Sequence, residues 1–169
     1  MQQRNQNRRL WIAGILIVAA LAGVTIGNIA FARNTPGGTR FVVGWAATRA
    51  FLADGTSPYS QAATSQIQAA ASWIVDPAEK AALQFVSPLY VIALYAPFAL
   101  IKDYAAARGL WMTLLEICLV AIPLLTFRLV RKRARPLMAL ASITLTLVSY
   151  YSYQALLDGN ISLLITVLL

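Results

Sequence analysis

LWIAGILIVAALAGVTIGNIAFA, Leu10–Ala32, is the stretch on which the fold turns. It carries no charge and runs for about twenty residues, the length that a helix needs to cross the hydrocarbon core of a bilayer. Arg4, Arg8 and Arg9 stand just before it. A basic head followed by an apolar run also describes a cleaved signal peptide, but this run is too long for an ordinary signal core. The expectation is a retained first span with its N-terminus in the cytoplasm.

Composition extends that reading to the whole chain. Of the 169 residues 59% are hydrophobic and 12% charged, against about 25% charged in an ordinary soluble domain. Such a chain cannot cover a water-facing surface with polar groups. The net charge is +8, from 14 basic and 6 acidic residues. Arg128, Arg131, Lys132, Arg133 and Arg135 crowd one segment. Basic clusters beside apolar runs set topology and touch anionic lipid, so no nucleic-acid partner is expected. The absence of histidine removes histidine-based catalysis and metal binding and leaves Asp and Glu as general bases. Cys118 is a single cysteine inside an apolar run and forms no internal disulfide.

Beyond the first run, Asn34–Gly38 reads as a loop from its Pro and Gly content. Phe41–Ala53 reads as a short interfacial helix with Phe41, Trp45 and Leu52 on one side and Arg49 snorkelling to head groups. Asp54-Gly-Thr-Ser-Pro-Tyr59 breaks it, Ser60–Ser72 suggests a second surface helix, and Asp76-Pro77 opens a third. Residues 33–85 thus form an extracytoplasmic loop with interfacial helices. Val86–Ile101 is apolar but short, and is bracketed by Pro88 and Pro97. Tyr104–Phe127 is a full-length candidate span that holds Glu116. Leu137–Leu157 follows as one further run, and Asp158-Gly159-Asn160 breaks it. Ile161–Leu169 starts a helix too short to span, which suggests a piece of a longer protein. The expected architecture is a single all-α, multi-pass membrane bundle over residues 1–169.

Two topologies satisfy this order. If Val86–Ile101 crosses, the basic cluster lies outside, against the positive-inside rule. If that segment dips in and returns, the cluster lies inside and Asp158 outside. Charge and length favour the second. Glu116 reads either as a functional intramembrane acid or as an interface acid paired with an arginine such as Arg108. No Gly-rich phosphate loop and no Cys/His metal pattern occurs.

Several short motifs recur in a fixed order. They are Pro36-Gly37-Gly38, Phe41, Trp45, Arg49 with Phe51-Leu52, and Gly55 with Ser57-Pro58-Tyr59. Then come Phe85 with Pro88-Leu89-Tyr90, Pro97-Phe98, Ala107-Arg108 with Trp111, and Gly159-Asn160. The series resembles the N-terminal part of the family 87 glycosyltransferases, polytopic enzymes of the GT-C fold. The likeness spans nearly the whole chain but only the first portion of a family member. It implies transfer of a sugar from a polyprenyl-phosphate donor to an acceptor at the outer membrane face, with membrane lipid as partner and no further cofactor. A carboxylate of the first outer loop deprotonates the acceptor in that fold, chemistry that suits a carboxylate base. This chain has Arg40 where the family usually shows an acid, and Ser87 where it shows a tyrosine before Pro88. The base role therefore passes first to Asp54 and second to Asp158. Arg40 suits the donor phosphate, and Arg49, Tyr59 and Asn160 are expected to line the substrate site. The competing readings are an inactive relative that binds lipid or a partner, and a small transporter subunit.

Overall fold

The computed structural model describes residues 2–130 and 135–169, and these fold into helices joined by short turns, with no strand among them. Arg131, Lys132 and Arg133 of the basic cluster lie outside the described residues. Helix α1 spans Gln2–Asn34, α2 Thr39–Asp54, α3 Gln61–Ala70, α4 Pro77–Lys80 and α5 Val91–Ala99. Helix α6 spans Tyr104–Leu129, α7 Pro136–Val148, α8 Tyr150–Asp158 and α9 Ser162–Leu168. Two of them, α1 over Gln6–Asn34 and α6 over Tyr104–Leu129, are long and apolar enough to cross a membrane.

Helices α1 and α6 pack antiparallel, and the backbone approach needs a glycine. A Cβ on Gly109 of α6 would stand 2.7 Å from the Cα of Ile29 on α1, well inside van der Waals contact. Polar contacts fix the register along this seam. Asn28 Nδ2 donates to Thr113 Oγ1 at 3.1 Å and to Glu116 Oε2 at 3.0 Å. At the end of the seam Arg33 Nη2 meets Asp103 Oδ2 at 3.2 Å. That hydrogen bond holds the Asp103 carboxyl below its ordinary range, and the same side chain caps α6 by accepting from Ala105 N. The C-terminus of α1 and the N-terminus of α6 therefore share one end of the bundle. Arg8 and Arg9 lie toward the other end, with Arg128.

The core sits at the end that holds Asp103, and it is aromatic. Phe41 of α2 is fully buried and touches four rings, with Trp111 at 5.4 Å and Tyr104 at 5.8 Å between centroids. Tyr95 of α5 stacks on Trp111 at 4.8 Å. Offset ring packing of this kind adds stability beyond area burial. The Tyr95 hydroxyl is buried deeply enough that its ionisation is pushed up well above the ordinary tyrosine range.

Two expectations change, and the shortness of Val86–Ile101 becomes more definite. Helix α2 is a core helix and not an interfacial one, because α3, α5 and α6 pack around it and bury Phe41, Val42, Ala46, Ala47 and Ala50. Leu52, expected on the same side as Phe41 and Trp45, is exposed while those two are buried. Arg49 does not snorkel outward. Its Nη1 donates to Ala99 O at 2.8 Å and its guanidinium lies 5.0 Å over Trp45, so it closes the C-terminus of α5. The apolar segment Val86–Ile101 contributes only the nine-residue α5. At 1.5 Å per residue it rises about 13 Å, under half of a ~30 Å hydrocarbon core. Second, the run Leu137–Leu157 is not one helix. Ser149 adopts an extended conformation (φ −63°, ψ 138°) and its Oγ accepts from Ser152 N, so α7 stops and α8 restarts. A serine side chain that bonds the backbone competes with helix continuation in this way.

Gly109→Leu is expected to prise α1 from α6 and to lower stability by about 1–3 kcal/mol, the usual cost of overpacking, whereas Gly14→Leu, on an open stretch of α1, is expected to be neutral. Thermal unfolding of both variants in detergent, followed by circular dichroism, checks this.

Candidate functional site

The first turns of α6 carry one stripe of polar-tipped side chains. Tyr104, Arg108 and Trp111 fall at i, i+4 and i+7, so they lie on one helix face. All three are buried, and each donates to the backbone of a loop. The Tyr104 hydroxyl bonds Gly37 O at 3.0 Å and Gly38 O at 3.2 Å. Arg108 Nη1 bonds Thr35 O at 2.7 Å, and its Nη2 reaches Leu157 O at 3.4 Å. Trp111 Nε1 bonds Gly159 O at 3.1 Å. Two loops that are far apart in sequence, 35–38 and 157–160, are thereby held against one helix.

Gly159 is required where it stands. Its φ is +71°, and a Cβ there would meet the Cβ of Phe41 at 2.5 Å. It ends α8 in the left-handed conformation that glycine adopts without penalty. Asn160 follows, and its Oδ1 accepts from Ser162 N to start α9.

Arg40 opens α2 just past one loop, and Asp158 closes α8 at the other. Their side chains face each other, with Arg40 Nε 3.9 Å from Asp158 Oδ2. Both remain open to water, the side chains 64% and 50% exposed, so the pair adds little to stability. It is an accessible guanidinium beside an accessible carboxylate, mounted on a rigid aromatic core. A guanidinium binds phosphate oxygens through directed hydrogen bonds. A water-exposed carboxylate accepts a proton from a hydroxyl brought within hydrogen-bond reach.

The other residues expected at the site lie elsewhere. Asp54 sits at the far end of α2, ~21 Å along the helix from Arg40 at 1.5 Å per residue, where Gln66 Nε2 donates to it at 3.3 Å. Arg49 is engaged with the end of α5. The Tyr59 hydroxyl donates to Ser87 O at 2.8 Å and its ring packs on Phe85 at 5.5 Å, so it pins the segment before α5. The structure therefore joins Arg40 and Asp158, gives the Asn160 side chain to the start of α9, and leaves Asp54, Arg49 and Tyr59 apart from the pair.

Arg108, which stands in the motif with Trp111, is also the expected partner of Glu116 in one reading of that acid. The two do not pair: Glu116 bonds Asn28, and Arg108 turns the other way to the loop carbonyls. The signal for the Tyr104–Arg108–Trp111 stripe was its spacing at the start of an apolar helix. The carbonyls it serves have no mark in sequence. Among the described residues no three His, Cys, Asp or Glu side chains converge to hold a metal ion.

The fold defines the class: an all-helical chain with two helices long and apolar enough to cross a membrane. No family model, no curated protein and no solved structure matches the chain.

Trp111→Phe keeps an aromatic ring but a smaller one, and it removes the Nε1 donor, leaving Gly159 O without its partner and a small void in the core. The expected loss is at least about 1–3 kcal/mol, the cost of orphaning a buried acceptor, with the void adding to it, and chemical unfolding in mixed micelles measures it.

Proposed function

We propose that the chain belongs to a GT-C-type membrane glycosyltransferase that transfers a sugar from a polyprenyl-phosphate donor to an acceptor at the outer membrane face. The observation that carries this reading is the Arg40–Asp158 pair, 3.9 Å apart and exposed at one end of the bundle. Asp158 serves as the general base toward the acceptor hydroxyl, and Arg40 holds the donor phosphate. The chemistry asks little more of the protein, because a lipid phosphate leaves readily once its charge is stabilised. The order of motifs along the chain supports the same class. Asp54 is the weaker candidate for the base, because it stands far from the guanidinium suited to the donor.

The membrane arrangement that goes with this reading has α1 crossing outward and α6 crossing back. Helices α7 and α8 together cross outward again, with α5 entering from the outside without spanning. Helix length supports it, as does the placement of Arg8, Arg9 and Arg128 toward the end away from Asp103 and Asp158. The pair then faces outward, where a lipid-linked donor presents its phosphate. One observation favours a second reading, an inactive relative that binds lipid: an arginine stands at the position where the resemblance expects an acid.

In a Cys118→Ala background, a cysteine replacing Ser57 is expected to react with a membrane-impermeant maleimide on intact cells, and one replacing Arg135 only after permeabilisation. The reverse pattern removes the outward-facing site.

Transfer from a polyprenyl-phosphate hexose in membranes tests the chemistry. Asp158→Asn is expected to lower kcat by about 10²-fold or more, the usual contribution of a general base, while Asp54→Asn stays within a few-fold of wild type. Arg40→Ala is expected to raise the donor KM about tenfold, the loss of one charge-assisted contact. Turnover lost in Asp54→Asn and kept in Asp158→Asn returns the base role to Asp54. Donor binding without turnover in the unmodified protein selects the inactive relative.

A further inference from the structure

A second constellation lies away from the Arg40–Asp158 pair. Helices α1, α6, α7 and α8 line a cavity of about 690 Å³ that is open along one side, where Val24, Ile117 and Leu147 are exposed, within the size range of small-molecule sites. Its wall is apolar, with Leu21 and Val24 from α1, Ile117 from α6 and Leu156 from α8. Four polar side chains interrupt that wall, Thr113 and Glu116 of α6 and Ser152 and Tyr153 of α8, and Glu116 alone among them is an acid. Glu116 lies twelve residues into α6, ~18 Å along the axis from Tyr104. Where α6 crosses a bilayer this is hydrocarbon depth, and an acid placed there is costly.

The surroundings of Glu116 decide what the cavity suits. Asn28 donates to Oε2, and no hydrogen bond among the described residues reaches Oε1. Neither ion pair found among the described residues includes Glu116, and among those residues no Lys or Arg lines the cavity. The helix break at Ser149 lies in the facing wall, between Leu147 and Ser152, both of which line the cavity. A break in an otherwise apolar run is tolerated in a membrane where it borders a cavity. An acyl chain would fill the volume but leave the carboxylate facing hydrocarbon. An anionic amphiphile would be repelled by it. A small metal ion needs several oxygen ligands, and one carboxylate does not supply them.

We propose that this cavity binds a lipophilic cation, an apolar body carrying one positive charge, with Glu116 as the counter-charge. The apolar wall takes the body and the carboxylate takes the charge, so that both are satisfied together. The proposal concerns a different part of the bundle from the transfer site and stands without it.

The probe is tetraphenylphosphonium, measured by equilibrium dialysis against the full chain in phosphatidylcholine vesicles, with empty vesicles as the blank. Saturable binding of one probe per chain is expected. Glu116→Gln, which keeps the oxygen bonded to Asn28, is expected to weaken it at least tenfold, and Glu116→Asp to stay within a few-fold. Ile117→Trp keeps the carboxylate but fills the cavity, and is expected to weaken binding about as strongly. Glu79→Gln, an exposed acid on α4, controls for surface charge and is expected to bind like wild type. Binding no greater than that of empty vesicles overturns the proposal. So does unchanged affinity in Glu116→Gln, or equal affinity for the uncharged tetraphenylmethane, which would mark a purely apolar cleft. If Glu116→Gln loses its helical circular dichroism, Ile117→Trp and the uncharged probe decide.

Discussion

The guanidinium of Arg108 is the point on which this end of the molecule depends. It is 1% exposed, and among the described residues no carboxylate pairs with it. Burying an unpaired charge costs several kcal/mol unless hydrogen bonds replace the lost water. Here the replacements are backbone carbonyls, Thr35 O at 2.7 Å and Leu157 O at 3.4 Å. Those carbonyls belong to the end of α1 and the end of α8. The energetic demand of one side chain thus becomes a geometric constraint on three helices. Its Nε still lacks a partner, so the satisfaction is incomplete and the guanidinium has little room to shift without losing more.

Around that constraint the aromatic core gives rigidity, and α2 gives direction. Phe41 fills the space between α5, α6 and the α8–α9 turn, and its backbone neighbour Arg40 is thereby aimed at Asp158. The same packing explains why the pair is exposed. Phe41, Tyr95 and Phe98 turn inward onto Trp111, which leaves the two charged side chains on the water side. Glu116 obeys a different logic further along α6. It lies where the helices separate, tied to Asn28 by one hydrogen bond and bordering an apolar cavity.

Much of the architecture was legible from composition and run length. Apolar runs of about twenty residues mark helices long enough to cross a membrane, and α1 and α6 appear where those runs lie. The start at Ser60 and the Asp76-Pro77 opening also mark helix beginnings that the structure contains. The errors share a cause. Periodicity places Phe41, Trp45 and Leu52 on one face, but whether that face meets lipid or protein depends on neighbours with no local signature. The break at Ser149 is equally silent, because Ser149 lies within an apolar run where a helix and a helix break have the same composition.

The candidate site divides along the same line. Residue chemistry by itself determined that the bases available were Asp and Glu, that histidine chemistry was absent, and that Arg40, Asp54 and Asp158 were the charges to weigh. Only the tertiary structure decided that Arg40 meets Asp158 and that Asp54 does not. The 117 positions between Arg40 and Asp158 are closed by hydrogen bonds from Tyr104, Arg108 and Trp111 to main-chain carbonyls. Every residue except proline offers the same N–H and C=O. A sequence therefore names the donors on α6, while the partners they select are set by how the chain packs.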